Sequence, residues 1–361
     1  EKTSEAARLR DITYAFNSIN DDQRKALGEY GRSVIFKNYS VSKMADDCVD
    51  AYTAALKVNE KKKYRVLMSG YYGFNNSGDD AILLSIHCNI MKTNKNIDVL
   101  VLAKKPEQTS KKYGVKVIYR YNIFKVVWSI MRCDLLISGG GSLLQDKTST
   151  RSLIYYLSII KMAKMFGKKV MLYANGIGPV EKDKNRKLVK KVVSRADLIT
   201  LREENSLDEL RKIGVVNKNA IVTADPVFSL DPLPKEESEK IFERSGIPLN
   251  KPIVGVSVRN WKSIENFLYD VAVLCDRIYD ELGRNIVFIP MQLPYDAAIS
   301  DKVRSLMKRK SYCLDENCSP KEIMSAIGLM DCIISMRLHT LIFAANGNVP
   351  MLGFVYDPKI E

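Results

Sequence analysis

From Tyr64 onward the apolar residues fall in short solid runs, each followed by a helix-length stretch in which apolar and polar positions mix. Runs at 65–70, 98–102, 134–138, 170–173, 198–201 and 220–223 read as buried strands, and the segment from Asp79 to Asn94 reads as a helix. A second set of strands is expected at 253–257, 285–289, 311–314 and 331–335. Strands alternating with helices in this way predict parallel sheets joined by right-handed crossovers. The stretch from Pro226 to Pro252, with prolines at 226, 232, 234, 248 and 252, reads as a linker. The expectation is therefore an α/β protein of two Rossmann-like lobes, 64–230 and 250–361, with a cleft between them. Residues 1–59 differ, with a mostly helical pattern broken by Gly28 and Gly31 and a charged break at Glu60-Lys61-Lys62-Lys63.

In open sheets of this kind ligands gather at the carboxyl ends of strands, and the unusual residues fall there. At Cys332 to Ala345 a strand hands over to a helix whose apolar face is Leu338, Leu341, Ile342 and Ala345. A helix start favours an anion through its unpaired amides and dipole. Arg337 and His339, one of only two histidines, sit at that start. Gly70-Tyr71-Tyr72-Gly73-Phe74-Asn75-Asn76-Ser77-Gly78-Asp79-Asp80 links the first strand to its helix. Ser77 or Asp79 can cap that helix, and Asp79 can also deprotonate a sugar hydroxyl. The stretch is neither a phosphate-binding P-loop nor a dinucleotide fingerprint.

Gly139-Gly140-Gly141-Ser142-Leu143-Leu144-Gln145-Asp146 follows another strand. Three consecutive glycines are costly in chain entropy, and a ligand lying on bare backbone is the expected compensation. Asn175-Gly176-Ile177-Gly178-Pro179 repeats the arrangement at the next strand end. Arg202 and Arg259 follow two further strands and bring guanidinium groups to the same side of the sheets.

Composition narrows the partners. The 361 residues carry 56 Lys+Arg against 42 Asp+Glu, a formal charge of +14 that suits an anionic ligand, an acidic polymer or an acidic membrane face. No zinc-finger, RNP-type or compact arginine-rich motif is present, so nucleic acid is not expected. The seven cysteines form no C-x-x-C pair, and with two histidines they offer no metal site. Reduced packing thiols imply a cytoplasmic protein. No signal peptide or long uninterrupted apolar run stands out, so peripheral contact with the inner face of the membrane is the most that is expected. The sequence says nothing of oligomeric state.

Taken in order, Gly70 to Asp80, Gly139 to Asp146, Gly176-Ile177-Gly178-Pro179, Ala224-Asp225-Pro226, Met336-Arg337-Leu338-His339 and Tyr356-Asp357-Pro358-Lys359 resemble the polysaccharide pyruvyl transferase family, specifically its CsaB-like members, over residues 64–361. The resemblance implies a GT-B-like fold and transfer of a pyruvyl group from phosphoenolpyruvate, as co-substrate without a further cofactor, to an N-acetylmannosamine-type sugar. The acceptor would be a secondary cell-wall polymer or its precursor, free or lipid-linked, and its ketal would hold S-layer proteins. Arg337, Leu338 and His339 are then implied to bind and act on the donor, with Arg202, Arg259 and Lys359 assisting. Asp79 serves the acceptor side, with Gly73, Asn75, Ser77, Gly139, Gly140, Gly141, Gln145, Asp146, Asn175 and Gly176 as its cradle. Imidazole changes charge near neutral pH, which makes His339 the candidate general acid. Asn175 departs from the family, where Gln is common. Residues 1–59 loosely resemble the closing segment of a GT-B glycosyltransferase and would finish an upstream domain. The competing readings are a nucleotide-sugar glycosyltransferase of the same fold, with Glu322 or Asp331 on the ribose, and a non-catalytic binder of anionic polymer.

Overall fold

The computed structural model describes residues 63–354 except 94–95, 148 and 262–265, together with 22, 25, 26, 29, 30 and 33, which are helical. The rest of 1–59 and the Tyr356-to-Lys359 motif lie outside the described residues. Two compact units meet in sequence at Leu230/Asp231.

The first unit alternates β1 (Tyr64–Ser69), α1 (Ser77–Thr93), β2 (Ile97–Ala103), α2 (Pro106–Tyr113), β3 (Lys116–Tyr119), α3 (Ile123–Arg132), β4 (Leu135–Leu144), α4 (Thr150–Met165), β5 (Lys169–Ile177), α5 (Asp183–Val193), β6 (Leu198–Leu201), α6 (Glu204–Ile213) and β7 (Ala220–Val222). Its sheet is parallel throughout, in the order β3-β2-β1-β4-β5-β6-β7. The strand order reverses between β1 and β4, and that is the place where an open sheet leaves room for a ligand. Leu67, Leu136, Val170, Leu172 and Ile199 point to one face, where they pack with Val126, Ile130, Leu153, Leu157, Ile160, Val189 and Val193 from α3, α4 and α5. Burying each such side chain contributes roughly 1.5–3 kcal/mol.

The second unit opens with α7 (Lys235–Arg244) and continues with β8 (Ile253–Ser257), α8 (Phe267–Leu282), β9 (Asn285–Phe288), α9 (Tyr295–Leu306), β10 (Ser311–Cys313), α10 (Pro320–Ile327), β11 (Cys332–Ser335), α11 (Leu338–Asn346) and β12 (Met351–Gly353). Its five parallel strands run β10-β9-β8-β11-β12, with the reversal between β8 and β11.

The proline-rich stretch expected as a linker is built differently. Pro226–Ser229 is a 3-10 turn of the first unit, and α7 belongs to the second. The Leu233 amide donates to Ser325 Oγ at 2.8 Å, and Arg244 on α7 reaches Asp315 and Glu322, each at 3.0 Å. Prolines at 232, 234 and 248 flank a charged helix that the apolar runs did not reveal. Four thiols are raised mainly by burial, Cys133, Cys313 and Cys318 to about 11 and Cys275 to about 12.

The largest departure from expectation is at the glycines. β4 runs on through Gly139, Gly140 and Gly141 to Leu144, with Gly139 opposite Tyr173 and Gly141 opposite Asn175 on β5. A Cβ at Gly139 would lie 2.1 Å from Tyr72 Oη, one at Gly140 would lie 2.8 Å from Ile82 Cγ2, and one at Gly141 would lie 2.9 Å from Asp79 Oδ1. The glycines are accounted for by the protein's own side chains, which press against a strand stripped of Cβ atoms. Gly73, at φ +74°, is held the same way, since its Cβ would stand 2.9 Å from the Lys105 amide nitrogen.

Gly139→Ala is therefore expected to lower stability by about 1–3 kcal/mol through overpacking. Tyr72→Phe removes the obstructing oxygen, which is buried without a hydrogen-bond partner, and in the double variant it should restore part of the loss. Urea unfolding of the two single variants and the double variant measures this; an additive double variant would show that Tyr72 does not set the glycine requirement.

Candidate functional site

At the β1/β4 reversal Ser69 and Ser138 are paired neighbours, and both strands then enter the glycine-rich segments. The helix that follows β1 is capped by Asn76, whose Oδ1 accepts the Gly78 amide at 3.1 Å, and not by Ser77 or Asp79. Ser77 opens the helix, and Asn75 before it holds a left-handed backbone at φ 57°. Asp79 is thereby left to face Gly141. Its charge, after burial, helps to push the Tyr72 phenol well above the usual range.

One residue of this half escaped the sequence reading. Arg120, just past β3, is buried, and it donates to the Gly70 carbonyl at 2.9 Å. Its guanidinium stands 4.3 Å from the Tyr155 ring and between 5.1 and 5.4 Å from Phe74, Tyr121 and Tyr156. Aromatic faces compensate a cation that has no ion pair among the described residues. Arg120 thus braces the loop that carries Asp79. The short strand β3 was missed, and the Tyr119-Arg120-Tyr121 sandwich that follows it was the signal.

Beside the glycine strand, β5 is irregular. Ala174 has φ 47°, and the register shifts against both β4 and β6 around it. Such bulges re-aim side chains. The next residue, Asn175, is fully buried, and neither its Oδ1 nor its Nδ2 has a hydrogen-bond partner. A polar group so placed costs about 1–3 kcal/mol unless something bonds to it.

Other candidates in this unit hold the fold. Arg202 is buried and donates to Glu203 Oε2 at 2.6 Å, Asp225 Oδ2 at 3.4 Å and Ser142 Oγ at 3.3 Å. Gly176 makes room for it, because a Cβ there would sit 2.8 Å from Arg202 Nη2. Two carboxylates already balance this guanidinium. Asp146 accepts the amides of Glu181 at 2.8 Å and Lys182 at 3.1 Å and the Asn185 Nδ2 at 2.6 Å, fastening the entry to α5. Burial would raise its carboxyl, but these hydrogen bonds outweigh burial and hold it below the usual range. Gln145 precedes it, half-buried.

In the second unit Ser257 and Ser335 are paired at the β8/β11 reversal, and Arg259 and Arg337 each lie two residues beyond. The Ser335 hydroxyl donates to the Arg337 carbonyl at 3.0 Å and accepts the Arg337 amide at 2.8 Å, fixing the turn into α11. Leu338 and His339 are the first residues of that helix. The Arg337 side chain is 15% exposed, and its fork grips Asp296, which is 1% exposed, through Nε at 2.9 Å and through Nη2. Asp296 also accepts the amides of Met291 and Gln292. Arg337 is thus a positioned cation whose charge is partly spent on a buried carboxylate. Lys359 lies outside the described residues.

Glu322 and Asp331, the acids that a nucleotide-sugar enzyme would need, are engaged elsewhere. Glu322 closes a capping box with Ser319 and pairs with Arg244. Asp331 accepts the Ile253 amide at 2.7 Å and pairs with Arg284 at 3.4 Å. Among the described residues no group of three or more His, Cys, Asp or Glu side chains is placed to hold a metal ion.

The family model for polysaccharide pyruvyl transferases matches residues 76–358. The chain belongs to the polysaccharide pyruvyl transferase family. No curated protein matches it. Among solved structures it is similar to Staphylococcus aureus MnaA with UDP, at 12% identity and TM-score 0.58 over 80% of this chain and 78% of that one. It is also similar to the UDP-GlcNAc 2-epimerase of Neisseria meningitidis bound to UDP-GlcNAc, at 11% identity and TM-score 0.55 over 82% and 84%. Anabaena Alr3699/HepE in complex with UDP-glucose follows at 13% and 0.54, over 80% of each chain. These likenesses show the fold, which is GT-B-like, and membership in the family makes the pyruvyl transferase a polysaccharide-modifying transferase.

Two outcomes follow from the anchoring bonds. Asp146→Asn should cost about 1–3 kcal/mol at neutral pH, because an amide presents two donors where donors already converge. The lowered Asp146 carboxyl contributes stability that is present above its unfolded value near about pH 4 and lost as pH falls through its folded value. The gap between wild type and variant in urea midpoint should narrow accordingly below that pH, and a gap independent of pH would rule out the role. Arg337→Lys, which loses the fork, should leave an Asp296 oxygen short of a donor and cost about 1–3 kcal/mol in the same assay.

Proposed function

We propose that this pyruvyl transferase uses phosphoenolpyruvate to place a ketal on an N-acetylmannosamine-type sugar of a secondary cell-wall polymer, the modification by which S-layer proteins are held. The observation that carries the reading is the β8/β11 reversal, where Arg259, Arg337, the first amides of α11 and His339 gather at one strand end in a member of this family. Phosphoenolpyruvate brings a carboxylate and a phosphate on a three-carbon frame. Planar guanidinium groups and a helix start are the groups that bind both.

Ketal formation begins with a proton delivered to the methylene carbon and attack of a sugar hydroxyl on C2. His339 is the proton donor in this scheme, and a general base takes the proton of the attacking hydroxyl. The C2–O bond to phosphate then breaks, a second hydroxyl of the same sugar closes onto C2, its proton passes to the departing phosphate, and inorganic phosphate leaves. The unsatisfied carboxamide of Asn175, beside the strand that Asp79 faces, suits an acceptor hydroxyl or acetamido group.

The fold also serves enzymes that hold UDP, so a nucleotide-sugar donor is the reading to test against. The engagement of Glu322 and Asp331 in structural bonds weighs against it. Phosphate release from phosphoenolpyruvate, with and without an acceptor containing N-acetylmannosamine, separates the two, as does thermal stabilisation by phosphoenolpyruvate or by a nucleotide sugar. His339→Ala is expected to lower turnover about 10²- to 10⁴-fold with unchanged thermal stability. Near-normal turnover removes His339 from the chemistry, and stabilisation by the nucleotide sugar alone overturns the donor assignment.

A further inference from the structure

The outer face of α3 is unlike the rest of the first unit. Phe124 is 85% exposed, Ile123 55% and Trp128 54%, and Met131 continues the same face one turn on. The opposite face of the helix, Val126, Ser129 and Ile130, is buried in the core. α3 is therefore an amphipathic helix with apolar residues on both sides, one of which no part of the described chain covers. Tyr119 and Tyr121 at the end of the edge strand β3 extend the exposed surface. Monomeric proteins seldom leave contiguous aromatic and aliphatic side chains in water without a partner.

The charge around this face identifies the partner. α3 and α4, which pack side by side on one face of the sheet, carry Lys125, Arg132, Arg151, Lys161 and Lys164 and no acidic residue, and all of these but Lys164 are exposed. Lys125 and Arg132 stand on α3 itself, and the Arg132 guanidinium lies 4.3 Å from the Trp128 ring. A helix that shows Trp, Phe, Ile and Met flanked by lysine and arginine fits the boundary between acyl chains and acidic headgroups. Its apolar side chains enter the bilayer while the basic ones stay with the lipid phosphates. A nucleic acid would use the aromatic rings and the charge, but it gives Ile123 and Met131 no role. No helix among the described residues is long and apolar enough to cross a membrane, so the contact is peripheral.

We infer that α3, with the basic residues of the adjoining α4, is a docking surface for an anionic lipid bilayer. The chain entering α3 reaches the candidate acceptor loop through one residue. Arg120 donates to Gly70 and lies over Phe74, and Tyr121 stands 6.0 Å from Tyr155. A bilayer at α3 brings the loop that carries Asp79 close to the lipid surface, where a lipid-carried glycan would be met. That last link rests on the transferase reading, whereas the docking does not.

The test is co-sedimentation of the full chain with phosphatidylcholine vesicles, with and without about one third phosphatidylglycerol. Wild type should bind the anionic vesicles, and salt should weaken the binding. Phe124→Asp with Trp128→Asp should lower partitioning about tenfold or more, because two large apolar side chains leave the interface. Lys125→Ala with Arg151→Ala should lower it about fivefold per charge removed. Thermal unfolding should be unchanged in both variants, since all four side chains are exposed. Absence of binding to anionic vesicles, or binding untouched by the aspartates, overturns the inference. So does preference for a single-stranded RNA over the vesicles, or an aspartate variant that only converts a dimer to a monomer. Binding is read without turnover and so stands or falls apart from the donor chemistry.

Discussion

The first unit depends on a contact in which one partner has no side chain. Tyr72 and the first turns of α1 lie so close to β4 that residues 139 to 141 can only be glycine. The contact holds the loop after β1 against the sheet and turns Asp79 toward the strand. It also buries a phenol oxygen without a partner, which close packing elsewhere in the contact must offset. Arg120 braces the same loop from the other side with a carbonyl bond and four aromatic faces.

The second unit solves an equivalent problem with charge. Its strand reversal also ends in paired serines, but the turn that follows is fixed by the Ser335 hydroxyl and by an arginine locked onto Asp296. Both units place their distinctive residues at the carboxyl ends of the strands flanking the reversal, as the geometry of open parallel sheets requires. The chemistry there differs, with neutral polar groups and Asp79 in one unit and cations with a helix start in the other.

Much of this was legible in the sequence. Solid apolar runs marked ten of the twelve strands, because strands covered on both faces need no polar alternation. The two that escaped, β3 and β12, lie at sheet edges and are only four and three residues long. The positions of Arg337 and His339 followed from the change of apolar period at Leu338. What the sequence could not show was who stands opposite whom. Asp296 lies 41 positions before Arg337, Asp225 lies 23 after Arg202, and nothing local marks either pair. For the same reason the triple glycine read as a ligand cradle, although the space is filled by Tyr72, Ile82 and Asp79.

The grip of Asp296 on Arg337 bears on how an anion would be received. A free arginine on a loop samples many rotamers, and a ligand that fixes one loses part of its binding free energy to that ordering. Here the fork is immobilised beforehand by a carboxylate that is itself anchored by two amides, so that ordering is already done. The same carboxylate subtracts from the positive potential, and recognition at this turn therefore leans on direction and fit more than on bulk attraction.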